Sequence, residues 1–151
     1  MSIPLFDQTT GLLPDGIFDC TLAEISSVLC FTPRRTFLFG ELGRFLQTEV
    51  PKLQGVGTVY IDGSFARSKP DPDDIDIVID ISAGTQQETE HSFLAIYASH
   101  ERWKTDYAID VYSYHPILPL NLVSFFQYAG VKAAAELRIN PKHPKGILRL
   151  L

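Results

Sequence analysis

Two aspartates, Asp74 and Asp76, stand at the start of the stretch 74–81, whose other residues are aliphatic except for Asp80. Side chains alternate across a β-strand, so both carboxylates would lie on one face while the isoleucines line the other. Two carboxylates this close repel each other unless a cation lies between them or water solvates both. Mg²⁺ takes carboxylate and phosphate oxygens as ligands, so the pair predicts a magnesium site. A solvated face on an edge strand is the alternative.

A Gly63–Ser64 pair follows a predicted strand at 58–62 and precedes Asp74 by nine intervening residues. Glycine has no Cβ, so its backbone can approach a phosphate closely. Ser64 would add a hydroxyl and a backbone N–H to an anion-binding turn. Arg67 and Lys69, in the loop that follows, are candidate ligands for outer phosphates. For these two side chains, solvated loop charges are the alternative.

This order of elements resembles the signature of the nucleotidyltransferase superfamily, the polymerase-beta-like fold, over about residues 58–114. The superfamily places a third carboxylate on a later strand, and the resemblance implies that Asp110 supplies it as a metal ligand or general base. It also implies metal-binding and catalytic roles for Asp74 and Asp76 and contact between the Gly63–Ser64 turn and a triphosphate. The segments 13–16, 21–24, 33–35 and 145–147 are similar to those of an uncharacterised bacterial branch of minimal, single-domain type.

The resemblance implies a reaction as well. An NMP group would pass from a nucleoside triphosphate such as ATP to a hydroxyl on a small molecule, a protein or an RNA end, with release of pyrophosphate. Two Mg²⁺ ions would stabilise the attacking and leaving oxygens, with Mn²⁺ as a substitute. The alternative is a catalytically inactive nucleotide-binding or protein-interaction module of the same fold, as in a toxin–antitoxin or defence system. A purely structural α/β protein is the third hypothesis.

The remaining acidic residues have structural interpretations. Asp71 and Asp73 lie in a Pro/Asp loop, where aspartate makes local backbone bonds. Asp80 would lie ~13 Å beyond Asp76 along the strand. We expect Asp62 and Asp106 to cap an element or face solvent.

Several aromatic and basic residues leave two interpretations open. Tyr112 and Tyr114 share a predicted strand face with Asp110, where they would pack in the core or stack on a base. Lys142, Lys145 and Arg149 form a weak basic cluster, for which a solvated chain end is the simpler interpretation. The four histidines show no i, i+4 pair on a helix, so we expect no zinc site and place each at the surface or core edge.

The elements that must position these residues follow from caps and periodicity. Breakers predict no regular element in 1–19. A capping box at Thr21 predicts a helix to about residue 29, and Thr32–Pro33 starts a helix that Pro51 ends. A second capping box at Thr85 predicts a helix to about His100, with an apolar stripe of Phe93, Ile96, Tyr97 and His100.

Toward the C-terminus, prolines and glycines set the bounds of the predicted elements. We expect a third strand at 105–114, a helix at 119–128 with Gly130 as its C-terminal cap, a helical turn at 131–137 and a last strand at 146–150. The fold class is α/β: a small mixed sheet with helices packed mainly on one face and the face near the carboxylates left open. One domain is expected, with a helical segment at 1–54 and a catalytic core at 55–151.

Composition limits the kinds of partner and the location that we expect for the protein. The net charge of −5 disfavours duplex nucleic acid, which basic proteins bind by neutralising phosphates. Two cysteines without metal-type spacing are expected to be reduced thiols, and no apolar stretch approaches the ~20 residues of a membrane span. We therefore expect a cytoplasmic protein without membrane contact. In a chain of 151 residues the acceptor would be bound by the N-terminal helices, by a protein partner or by a second copy of the chain.

Overall fold

A five-stranded mixed sheet forms the centre of the protein, which we describe from a computed structural model covering residues 3–151. The spatial order of the strands is β1-β5-β2-β3-β4. The prediction of an α/β fold with a small mixed sheet is confirmed. The strands are β1 (Gly16–Cys20), β2 (Val59–Asp62), β3 (Ile75–Asp80), β4 (Ile109–Tyr114) and β5 (Gly146–Leu150).

Five α-helices connect these strands within the described residues. Capping boxes at Thr21 and Thr85 start α1 and α3 as predicted, and Thr32 caps α2 ahead of its first-turn proline. Short 3₁₀ turns follow α2 at Val50–Lys52 and β2 at Gly63–Ala66. The helices are α1 (Leu22–Leu29), α2 (Pro33–Thr48), α3 (Gln86–Tyr107), α4 (Leu122–Phe125) and α5 (Gly130–Leu137).

Strand direction determines where the site residues meet. β2 runs antiparallel to both β5 and β3, whereas β3 and β4 are parallel, as are β1 and β5. Cα pairing aligns Asp62 with Asp76, and Asp76 with Asp110. Because directly paired residues share a face, three aspartates form a row across three adjacent strands.

The two faces of the sheet differ in their cover. One face packs on α1, α2 and α3 through a continuous apolar core that includes Ile61, Ile77, Val111, Leu38 and Phe45. Burial of each such side chain contributes roughly 1.5–3 kcal/mol. A smaller cluster on the opposite face joins Val78 and Ile147 of the sheet to Val123 of α4. The aspartate row lies on this second face.

The predictions for residues 1–19 and for the end of α3 are wrong. Residues 16–20 form β1 although turn residues surround them, because β1 is held by parallel pairing with the C-terminal strand β5. Helix α3 continues past His100 to Tyr107 and ends where Ala108 adopts the left-handed conformation, with φ of 54°. Its last two turns bury Trp103 and Tyr107, whose rings meet Phe45 edge-on at 5.0 and 5.5 Å.

The predicted stripe of α3 and the predicted helix at 119–128 also differ from the structure. Ile96 is buried, but Tyr97 is 79% exposed and Phe93 is 38% exposed. The helix is reduced to α4, because Tyr128 leaves it to bridge to Pro144. Gly130, with φ of 77°, begins α5 instead of capping a preceding helix. In residues 3–151, no helix combines the length and apolarity needed to cross a bilayer.

Candidate carboxylate site

The carboxylates predicted to act together are brought together by the sheet. Asp76 and Asp110 lie on adjacent strands in direct register, and Asp74 immediately precedes β3. All three line a pocket of about 320 Å³ that also includes Gly63 and Ser64. Strand β4 therefore places Asp110 on the same side of the sheet as the other two carboxylates.

The Gly63 turn approaches the carboxylates closely. Gly63 has φ of 71°, and a Cβ built on it would lie 1.8 Å from Oδ2 of Asp76. A larger residue would therefore meet both backbone strain and a direct clash with that oxygen. Only glycine allows the turn and the carboxylate to occupy this space together.

Arg35 of α2 holds the loop after the Gly63 turn. It is fully buried, and its guanidinium, stacked 4.3 Å over the ring of Phe31, donates only to backbone carbonyls. Burial lowers its pKa to about 10, so it stays charged near neutral pH. Its partners are the carbonyls of Leu29, Ser64, Phe65, Arg67 and Lys69.

The start of α2 fixes the rest of this loop. Thr32 Oγ1 donates to the carbonyl of Pro70 at 2.7 Å, while Arg34 donates to the carbonyls of Pro72 at 2.9 Å and Asp73 at 2.5 Å. The loop thus enters β3 with its backbone fixed by side chains nearly forty residues earlier. The sequence predicts Thr32 only as a cap, because nothing local to the loop indicates these contacts.

The carboxylates carry an unfavourable charge arrangement. Burial, with the nearby charges of Asp74, Asp62 and Asp110, raises the pKa of Asp76 to about 7. Burial, followed by the charge of Asp110, also raises the pKa of Asp74. Among residues 3–151, no lysine or arginine forms an ion pair with Asp76. A bound cation would relieve this repulsion.

Two nitrogen-bearing side chains of α3 approach Asp110. Its Oδ1 lies 2.6 Å from Nε2 of His100, and its Oδ2 lies 3.3 Å from Nζ of Lys104. Oδ1 is nevertheless buried without a hydrogen bond of regular geometry from any described residue. Lys104 Nζ also lies 3.9 Å from Oδ2 of Asp74. The interpretation of every histidine as a surface or core-edge residue missed the position of His100 beside the third carboxylate.

Asp62 and Lys145 form a buried pair at the edge of the same pocket. Asp62 is 1% exposed, and its Oδ1 accepts from Nζ of Lys145 at 2.5 Å. Burial raises the pKa of Asp62, although the ammonium of Lys145 opposes this shift. The predictions of a capping or solvent-facing Asp62 and a solvated Lys145 are therefore wrong. They failed because the pair joins β2 to the start of β5 across the sheet.

The predicted phosphate ligands Arg67 and Lys69 line the pocket but already have a partner. Arg67 is buried and its guanidinium contacts Glu136 of α5, while Lys69 Nζ lies 3.7 Å from Oε1 of the same residue. The hydrogen bond from Arg67 lowers the pKa of Glu136, so this carboxylate remains charged. Neither basic residue is a simple solvated charge. Glu136 carried no signal in the sequence beyond its place on a helix.

An aromatic and basic wall stands opposite the aspartate row. Phe126 and Tyr128 lie against the pocket together with Lys132 of α5, and the ring of Tyr112 lies 5.3 Å from that of Phe126. This segment partly covers the face that we predicted to be open. Tyr112 is half-buried beside the carboxylates, and burial with the charge of Asp110 raises its pKa.

The other charged candidates lie outside the pocket. Asp80 accepts hydrogen bonds from Ser82, Arg149 pairs with Asp19 at 2.5 Å, and Asp106 lies 3.8 Å from Arg102. The side chains of Asp71 and Asp73 are exposed on the loop.

A second and larger cleft of about 710 Å³ adjoins the site. It lies between α3 and residues 118–122 and is lined mainly by apolar side chains such as Ile96 and Leu120. Tyr112 lines both clefts. The larger cleft lacks the carboxylate row, so the smaller one is the candidate site for chemistry.

The side chains present fit a divalent cation by type. No group of three or more His, Cys, Asp or Glu side chains in residues 3–151 is already arranged to hold a metal ion. Asp74, Asp76 and Asp110 nevertheless offer the oxygen ligands that Mg²⁺ and Mn²⁺ take, and Asp110 Oδ1 lacks a hydrogen-bonding partner in this part of the chain. They would hold the ion after small side-chain movements away from Lys104.

The fold and this pocket define a mixed α/β protein with an acidic cleft on one sheet face. The chain belongs to the family of unknown function DUF6932, whose model matches residues 4–151. No curated protein and no solved structure matched the chain.

Proposed function

We propose that this protein is a divalent-metal-dependent nucleotidyltransferase that moves an NMP group from a nucleoside triphosphate to a hydroxyl acceptor. The observation that carries the proposal is the convergence of Asp74, Asp76 and Asp110 on one pocket beside the Gly63 turn. The raised pKa of Asp76 and its lack of a paired cation among the described residues support a site that a bound cation completes.

The proposed reaction is a displacement at the α-phosphorus. The acceptor oxygen forms a bond to this phosphorus while the bond to the oxygen bridging the α- and β-phosphates breaks, and pyrophosphate leaves with that electron pair. The hydroxyl proton passes to a carboxylate, for which Asp110 is the candidate because it lies in the same pocket as Asp74 and Asp76. Bound Mg²⁺ would supply charge stabilisation at the reacting oxygens.

The basic residues around the pocket would hold the triphosphate. Lys132 faces the pocket from α5, and Lys145 borders it beside the Gly63 turn. The turn would offer backbone N–H groups to phosphate oxygens. Arg67 and Lys69 would contact the outer phosphates in competition with Glu136. Their pairing with Glu136 would keep them in place in the nucleotide-free protein.

A second candidate is a nucleotide-binding or interaction module without catalytic activity. The contacts of Asp110 favour it, since His100 and Lys104 already stand against its two carboxylate oxygens. In such a module these contacts would persist when nucleotide binds, and Asp110 would accept no proton. Binding of a nucleotide alone therefore does not separate the two candidates.

Pyrophosphate release distinguishes them. The purified protein is incubated with each labelled nucleoside triphosphate, Mg²⁺ and cell extract as the acceptor source. We expect a labelled product and pyrophosphate, both lost in Asp74→Asn and Asp76→Asn. The matched control is Asp71→Asn with Asp73→Asn, which removes two exposed carboxylates from the preceding loop and should retain activity. Nucleotide binding without pyrophosphate release from any triphosphate would establish the inactive module.

A further inference from the structure

Helix α3 holds Asp110 between two side chains one turn apart. His100 and Lys104 stand at i and i+4, so they project from the same face of the helix. His100 approaches one oxygen of Asp110 at 2.6 Å, and Lys104 approaches the other at 3.3 Å. The helix packs against β4, which carries Asp110. The two contacts differ in what else each side chain touches.

Lys104 reaches a second carboxylate, whereas His100 does not reach one in the site. The Lys104 ammonium lies 3.9 Å from Asp74 Oδ2 in addition to its contact with Asp110. It thus stands between side chains from β4 and from the segment before β3. A positive charge between these two carboxylates occupies the position that a bridging cation would take. His100 instead lies against the ring of Tyr112, 5.8 Å between centroids.

Lys104 is also free to leave this position. Its side chain is 47% exposed, whereas that of Asp110 is 11% exposed. A lysine on a flexible four-carbon stem loses its contacts with little disturbance to the fold. Its backbone carbonyl, by contrast, accepts the hydrogen bond from Ala108 that closes α3. The helix end is therefore fixed while the ammonium can move into solvent.

We propose that Lys104 is the internal counter-ion of the carboxylate site, and that a divalent cation binds by displacing its ammonium from Asp74 and Asp110. This inference rests on the proposed function, because it requires a metal at these carboxylates. His100 keeps its place on Oδ1 of Asp110 and positions that carboxylate in both states. Lys104 thereby weakens metal binding and stabilises the metal-free protein.

Calorimetric titration of the full chain with Mn²⁺, in the absence of nucleotide, tests the inference. Lys104→Met keeps the stem and removes the charge, so we expect about fivefold tighter Mn²⁺ binding, the scale of a partly exposed ion pair. The matched control is Lys52→Met, because Lys52 Nζ lies 3.3 Å from Glu49 outside the pocket. Its Mn²⁺ affinity should equal that of the wild type. The melting temperature of metal-free Lys104→Met should fall.

Amine labelling of the wild type gives a second readout. Mn²⁺ should increase the acylation rate of Lys104, measured by mass spectrometry, and leave that of Lys52 unchanged. Equal or weaker Mn²⁺ binding by Lys104→Met, in a wild type that binds the ion, would overturn the inference and leave the proposed function standing. An absence of Mn²⁺ binding by both proteins would overturn both proposals. Binding by Lys104→Met alone would support the inference.

Discussion

The loop at 63–73 and the aspartate row face the same pocket but are stabilised in opposite ways. In the loop, buried Arg35 donates to a set of backbone carbonyls, so a buried charge is matched by hydrogen bonds. In the row, Asp76 and Asp110 are held side by side by strand register, and one oxygen of Asp110 has no hydrogen-bonding partner among residues 3–151. The loop is complete as it stands, whereas Asp76 in the row has no paired lysine or arginine among residues 3–151.

The difference indicates that the loop contacts are structural, whereas the carboxylates serve ligand binding. A buried cation fully hydrogen-bonded to backbone fixes a loop geometry, and its removal leaves buried carbonyls without donors. Neighbouring buried carboxylates lower the stability of the metal-free fold, which is common where a protein binds a ligand of opposite charge. We therefore expect mutations in the loop to reduce stability, and removal of the unpaired charge of Asp76 to increase it while abolishing function.

The largest effect on stability should come from replacing Arg35. Arg35→Met leaves several buried carbonyls without donors, and we expect a loss of about 3–5 kcal/mol in the free energy of unfolding. Urea denaturation measures it. Arg34→Met is the control, because Arg34 bonds only the carbonyls of Pro72 and Asp73 near the surface. Its cost should be about 1 kcal/mol. Equal losses in the two variants would contradict the central place given to Arg35.

The second largest effect on stability should come from the close approach of Gly63 to Asp76, where the two regions meet. Gly63→Ala places a Cβ 1.8 Å from Asp76 Oδ2 in a residue with φ of 71°. We expect it to destabilise the protein by about 2 kcal/mol and to reduce pyrophosphate release. Gly40→Ala is the matched control within α2, where a new Cβ meets nothing within 4 Å. Helix propensity should make it stabilising by about 0.5–1 kcal/mol, and a destabilised control would undermine the comparison.

The charge of Asp76 should have a smaller effect that depends on pH. Its pKa is raised from 3.8 to about 7 in the fold, so the folded state favours the protonated form. The corresponding stability is present below pH 3.8 and is lost as the pH rises through 7. The melting temperature of Asp76→Asn should therefore be higher than that of the metal-free wild type at pH 8 and equal to it at low pH. Calorimetry across pH measures this, and a variant less stable at pH 8 would refute it.

Glu49 gives the opposite sign and so a test within the same experiment. Burial opposes ionisation of Glu49, but hydrogen bonds from Tyr107, Arg102 and Lys52 outweigh it and lower the pKa to about 2. Its contribution is present above pH 4.5 and is lost as the pH falls toward 2. Glu49→Gln should thus be destabilised at neutral pH, where Asp76→Asn is stabilised. If both variants gained or both lost stability at neutral pH, the charge of Asp76 would not be what lowers the stability of the protein.

Local signals predicted much of the fold and the main carboxylates. Capping boxes located α1 and α3, and strict alternation placed Asp76 on the face of β3 opposite the isoleucines, with Asp74 just before the strand, because both patterns depend on neighbours within a few residues. Asp110 followed from the family resemblance, and its alignment with Asp76 came from parallel strand pairing. The nucleotidyltransferase likeness itself stays a prediction.

What the sequence did not predict depends on contacts distant along the chain. The pairing of Asp62 with Lys145 spans 83 residues, and the bond from Arg35 to the carbonyl of Lys69 spans 34. The extension of α3 beyond His100 was missed because Trp103 and Tyr107 gain their stability from packing on Phe45 of α2. That extension is also what brings Lys104 to the carboxylates.

Anomalous diffraction from crystals grown with Mn²⁺ and a non-hydrolysable nucleoside triphosphate tests the central claim most directly. We expect manganese bound between Asp74, Asp76 and Asp110, phosphates against the Gly63–Ser64 turn, and the Lys104 ammonium moved away from Asp110. Crystals that contain the nucleotide but show no manganese at these carboxylates, with Lys104 still against Asp110, would contradict the account.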